Sequence, residues 1–144
     1  MNSDPKKILF IVDDDTLFLK TLEIEFHQHG EFSIETYSTG ENCITHLSHN
    51  PDVIILDYNL DGIEQNAING IETLDQIKAI NPSIPVIMLS GQDSIEIAVD
   101  CMHHKAYDYV VKSETAFIRL QKILTSISKF KKMEKQLNWY IDRM

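Results

Sequence analysis

Cysteine is nearly absent: Cys43 and Cys101 are the two in 144 residues. They lack metal-ligand spacing and make no disulfide framework, so they read as reduced, buried side chains of a cytoplasmic protein. Glycine and proline are also sparse, at five and four residues, which excludes collagen-like and low-complexity chains. Long apolar runs are missing. The first, Ile8 to Val12, is too short for a signal-peptide core, and no later stretch approaches a membrane span. Basic residues are scarce over most of the chain, with 5 against 19 acidic ones in residues 1–111. That body is ill suited to wrapping nucleic acid, whose phosphates require Lys and Arg. Residues 112–144 reverse the balance, with 8 basic and 3 acidic side chains, which reads as a solvated helix face.

What is present is a series of short buried strands. Val53 to Leu56 is β-branched at three of four positions and reads as a strand covered on both faces. It ends in Asp57. A carboxylate at the carboxyl end of a buried parallel strand sits where open α/β sheets place their ligand crevices. Ile8 to Val12 is a second such run, ending in Asp13-Asp14-Asp15. Phe32 to Tyr37 is a shorter alternating strand. Pro85 to Leu89 ends in Ser90-Gly91, and Tyr107 to Val111 ends in Lys112.

Helical patterns separate the strands. Phe18, Leu22 and Phe26 mark a helix over residues 16–29 that Gly30 closes. Ser38 or Thr39 caps a helix carrying Cys43, Ile44 and Leu47, stopped by Asn50-Pro51. Ile71, Leu74, Ile77 and Ile80 mark a third, after a polar loop over residues 58–69. Ser94 to Lys105 is a fourth, with Ile95, Ala98 and Met102 on one side. A fifth starts near Glu114. Five strand–helix units in alternation predict an α/β fold, a doubly wound (βα)5 parallel sheet with helices on both faces.

In a parallel sheet, Asp13, Asp14, Asp57, Ser90 and Lys112 share one rim. Three close carboxylates raise one another's pKa and call for a cation, best a hard divalent ion with oxygen ligands. With an ammonium and a hydroxyl added, the set suits a phosphoryl group, one carboxylate acting as nucleophile.

The runs Ile8–Asp14, Val53–Asp57, Val86–Gly91 and Ala106–Lys112, in this order and each at a strand end, resemble the response-regulator receiver domains of two-component signalling. The resemblance spans about residues 6–125. It implies a five-stranded sheet of order 2-1-3-4-5 and an Asp57 that accepts a phosphoryl group from a sensor histidine kinase or phosphotransfer protein. It implies Mg²⁺, with Mn²⁺ as a substitute, held by Asp14, Asp57 and the Asn59 carbonyl, with Asp13 helping through water. Lys112 would hold a phosphoryl oxygen, Ser90 would move toward the phosphate, and Tyr109 would turn inward behind it, altering the surface of the fourth and fifth helices. Asn59 and Gln92 match positions that tune hydrolysis, so phosphorylation and dephosphorylation would be self-catalysed.

Two departures stand out. Asp61 occupies the family's usual Pro position, and the candidate glycine, Gly70, comes about five residues late. Ser113 replaces the Pro that usually follows the lysine in a cis bond; a trans bond is expected, because a non-proline cis bond costs about 2.5–4 kcal/mol.

Two other readings compete. A haloacid-dehalogenase-like phosphohydrolase would use Asp13 as nucleophile, but Leu17 breaks its motif. A receiver-like module that is never phosphorylated would use only its surfaces. The six histidines, in the pairs His27/His29, His46/His49 and His103/His104, read as helix surface. In the last helix Leu120, Ile123, Ile127, Phe130, Leu137, Ile141 and Met144 follow a heptad seam broken by Glu134. The division expected is a receiver domain over residues 1–128 and a helical extension over 129–144. That extension would serve homodimerisation, or connection to an output domain absent from this chain.

Overall fold

The computed structural model describes residues 6–60 and 67–144; Asp61 lies outside the described residues. Strand β1 (Lys7–Val12) is followed by α1 (Thr16–His29), β2 (Phe32–Tyr37), α2 (Gly40–Thr45), β3 (Val53–Asp57), α3 (Gly70–Ile80), β4 (Val86–Ser90), α4 (Ile95–His103), β5 (Asp108–Val111) and α5 (Ala116–Asp142). All strand pairs are parallel, in the order β2-β1-β3-β4-β5. The register sets Val12 beside Leu56, Asp57 beside Leu89 and Ser90 beside Val111. The strand ends that carry polar residues are therefore neighbours.

Successive side chains of a strand point to opposite faces, and this divides the apolar residues into two layers. Leu9, Ile11, Val53, Ile55, Ile87 and Leu89 pack with Leu22 and Phe26 of α1 and Leu120, Leu124 and Ile127 of α5. Phe10, Val12, Ile54, Leu56, Val86 and Met88 pack with Cys43 of α2, Leu74 and Ile77 of α3 and Cys101 of α4. Both cysteines are free and buried.

Local signals set the helix ends. The Asp15 side chain accepts from Phe18 N at the start of α1, and Gly30, at φ 69°, closes it in the left-handed conformation. Thr39 caps α2, and Asn69 with Glu72 forms a capping box on α3.

Some expected details differ. α2 ends at Thr45, and Leu47 is buried from a separate 3-10 turn, Leu47–His49. Ile80 faces solvent at the end of α3. In α4 the inner side is Ile97 and Cys101, whereas Ile95 and Met102, from the side that the spacing groups together, are exposed. That helix is apolar nearly all round, so its periodicity does not select a face. α5 begins at Ala116, two residues later than expected. Its last buried residue is Ile127, and Phe130, Leu137, Tyr140 and Ile141 beyond it are exposed. No described helix is long and apolar enough to cross a membrane.

Candidate functional site

The carboxyl-terminal rim of the sheet gathers Asp13 and Asp14 from the end of β1, Asp57 from the end of β3 and Lys112 from the end of β5. Asp13 and Asp57 are buried, at 0% and 2% exposure. Carboxylate oxygens of Asp13, Asp14 and Asp57 lie within 4.8 Å of one another, and this is the one cluster of three metal-competent side chains among the described residues. Lys112 Nζ stands 2.8 Å from Asp13 Oδ2 and 3.4 Å from Asp57 Oδ2. It therefore bridges the two buried carboxylates. The Lys112 ammonium also lies over the face of the Phe18 ring, 4.9 Å from Nζ to the centroid. Phe18 read from the sequence only as part of α1's apolar stripe. Its place in the first turn of a helix that starts at this rim was the available clue.

Backbone groups hold the carboxylates in place. Asp13 Oδ1 accepts from Asp15 N at 2.9 Å, and Asp57 Oδ1 accepts from Asn59 N at 3.2 Å. A shallow cavity opens above them, lined by Asp14, Asp57, Asn59, Lys112, Thr16 and Gly91.

Charge crowding shifts the ionisation of these groups. Burial pushes the Asp57 carboxyl up, the Asp13 carboxylate pushes it further, and Lys112 pulls only partly back, leaving it at about 7. Burial by itself would lower the Lys112 ammonium, but the two carboxylates outweigh it and leave it raised. One ammonium does not balance three carboxylates. The donor set consists of hard oxygens at short mutual range, which fits Mg²⁺ or Mn²⁺.

Ser90 is wholly buried at the end of β4, and its Oγ accepts from Gln92 N at 3.1 Å. Tyr109 is half-buried, and its phenol donates to the Gln92 carbonyl. Ser90, Gln92 and Tyr109 thus form one hydrogen-bonded chain across the β4–α4 loop, beside the carboxylate cluster. Lys112 N donates to the Ser90 carbonyl at 2.7 Å. The Lys112–Ser113 bond is trans, there being no cis peptide bond among the described residues.

Gly70 explains how the longer β3–α3 loop rejoins the site. A Cβ there would lie 2.4 Å from the Asp57 carbonyl oxygen and 2.7 Å from Tyr58 Cα. Only glycine lets the start of α3 come this close to the strand end.

Several of the six histidines have polar or aromatic partners. His49 Nδ1 lies 2.6 Å from Glu35, His46 stacks on Tyr37, and His104 Nδ1 lies 2.8 Å from Asp75.

A parallel five-stranded sheet with an acidic pocket and a lysine at its carboxyl rim defines a class of doubly wound α/β domains with a polar site at the strand ends. The model of the response regulator receiver domain matches residues 9–125, and the chain belongs to that family. It is 32% identical over 118 residues to the protein-glutamate methylesterase/protein-glutamine glutaminase of Clostridium acetobutylicum, covering 78% of this chain and 32% of that protein. It is 30% identical over 100 residues to the regulatory protein LuxO of Vibrio vulnificus, covering 69% of this chain and 21% of that protein. The chain thus spans a third or less of the length of these relatives. The crystal structure of the NtrX receiver domain of Brucella abortus superposes with a TM-score of 0.73 at 26% identity, covering 83% of this chain and 96% of that one. A CheY-like receiver domain protein of Methanospirillum hungatei, at 23% identity and a TM-score of 0.73 over 90% of this chain and 99% of that one, shares the fold.

Proposed function

We infer that this receiver domain takes a phosphoryl group on Asp57 from a phosphohistidine of a sensor histidine kinase or phosphotransfer protein. The observation that carries this reading is the Lys112 ammonium set between Asp13 and Asp57 in a cluster of three carboxylates. An Asp57 oxygen attacks phosphorus, the phosphorus–nitrogen bond of the donor breaks, and an acyl phosphate forms on the side chain. Lys112 sits to receive a phosphoryl oxygen, and Asp13 holds that lysine in place. Asp14, Asp57 and the Asn59 backbone would hold Mg²⁺, which supplies charge neutralisation for the carboxylates and the incoming phosphoryl oxygens. Asp13 is fully buried and occupied by Lys112 and Asp15 N, an arrangement that favours Asp57 as nucleophile over the dehalogenase-like alternative.

The Ser90–Gln92–Tyr109 chain is the readout. Once Asp57 carries a phosphate, the Ser90 hydroxyl, whose Oγ now accepts from Gln92 N, gains an anionic oxygen to which it donates. Its departure would free the loop and release Tyr109 to turn inward. The surface altered is α4 with its neighbours, where Ile95, Val99 and Met102 are exposed at 83%, 61% and 49%. That stripe is the partner surface, and residues 129–144 form a separate extension for self-association or connection to an output domain.

The test is intact-mass spectrometry after acetyl phosphate treatment, with and without Mg²⁺. One phosphoryl group is expected on the wild type with Mg²⁺ and none on Asp57→Asn. Equal labelling of both would remove Asp57 as acceptor.

A further inference from the structure

At the amino-terminal rim of the sheet, opposite Asp57, lies a cavity of ≈ 450 Å³ between the start of β4, the α4–β5 connection and the underside of α5. Its volume falls in the range of about 300–1,000 Å³ that small-molecule sites occupy. Its lining is unusual for so acidic a body. Two of the five basic residues in 1–111, Lys78 and Lys105, meet Lys131 of α5 there, and Glu134 is the one carboxylate lining it.

Each lysine has a constrained setting. Lys78 is half-buried and donates to the carbonyls of Ile84 and Pro82. Burial and then the nearby Lys105 charge hold its ammonium below the ordinary value. Lys131 Nζ donates to the Asp52 carbonyl at 3.1 Å. Lys105 sits at φ 72°, a left-handed position just past α4 where glycine is the usual choice and a side chain costs on the order of 1 kcal/mol. No ion pair or side-chain hydrogen bond reaches its ammonium among the described residues. A strained, unpaired lysine beside two others is a local excess of positive charge. Around it stand two aromatic rings with solvent-facing surface, Tyr107 at 44% and Phe130 at 65% exposure.

We propose that this cavity binds an aromatic phosphate of the nucleoside monophosphate class, its phosphate among Lys78, Lys105 and Lys131 and its ring against Tyr107 and Phe130. Phosphate suits a cavity lined by several ammonium-bearing side chains, and aromatic faces accept a stacked base. Phe130 and Lys131 stand where α5 leaves the body of the domain. An occupied cavity therefore fastens the root of the helical extension to the β4–β5 rim, independently of the chemistry at Asp57.

Calorimetric titration of the full chain with AMP tests this, with inorganic phosphate and adenosine as separate arms. Saturable AMP binding is expected, tighter than that of either fragment. Lys105→Gly removes the charge and relieves the backbone strain, so its melting temperature should be unchanged or higher while AMP affinity falls about tenfold. Phe130→Ala should weaken AMP and leave the phosphate arm unchanged. No saturable AMP binding, phosphate binding as tight as AMP, or an unaltered AMP affinity in Lys105→Gly would each overturn the proposal. So would an acidic peptide occupying the cavity in place of AMP.

Discussion

Asp57 is costly to ionise where it sits. Its carboxyl is raised from 3.8 to about 7, by burial first and by Asp13 second. Between those values the folded chain holds a proton that the unfolded chain does not. The raised group therefore costs stability as pH rises through this window, and the full cost is reached above about 7. Asp57→Asn removes it. Without divalent cations the variant should be more stable than wild type at pH 7.5 by on the order of 1–3 kcal/mol, with the gap closing toward pH 4. Thermal melts in EDTA across that range decide the matter. A gap that widens toward pH 4 would refute the sign. Lys112→Met should act the other way, because it strands Asp13 and Asp57 without their shared cation. A loss of about 3 kcal/mol is expected in urea unfolding, and an unaffected midpoint would mean that the lysine is not what holds the buried carboxylates.

At the scale of elements, the strand ends carry the site and the loops adjust it. Gly70→Ala places a Cβ against the Asp57 carbonyl and Tyr58, so α3 must move off the strand end. A cost of about 1–3 kcal/mol is expected, together with slower phosphorylation from acetyl phosphate. Equal rates in the variant would show that the close approach of α3 to the end of β3 does not shape the site.

Much at this scale was legible in the sequence. Val53 to Leu56 and Ile8 to Val12 are apolar because both faces of a parallel sheet are covered, and the polar residue after each marks the rim. Asp57, Asp13, Asp14 and Lys112 could thus be assembled without coordinates. The buried side of α4 could not, since Ile95, Ile97, Val99, Cys101 and Met102 surround the helix and packing alone decides which turn inward. Nor could the bond between Tyr109 and the Gln92 carbonyl. It depends on how the β4–α4 loop folds back over β5, which no local pattern encodes.

At the scale of the whole molecule, α5 outruns the body that it covers. Ile127 is its last buried residue, while Phe130, Met133, Leu137, Trp139, Tyr140 and Ile141 are exposed. Sedimentation of residues 1–144 should show self-association that is lost in residues 1–128, and matching monomers would refute a role for the extension in dimerisation. The proposed divalent cation belongs to this scale too, since it would neutralise charge drawn from two strands. Mg²⁺ at about a hundred times its Kd should stabilise the folded chain by about 2.7 kcal/mol, and by less in Asp57→Asn.

The most direct measurement locates the acyl phosphate. After acetyl phosphate and Mg²⁺ treatment, borohydride reduction converts a phosphorylated aspartate to homoserine, which peptide sequencing by mass spectrometry assigns to a residue. The account predicts homoserine at position 57 and at no other aspartate. Homoserine at position 13, or at no position while the protein has gained a phosphoryl group, would contradict it.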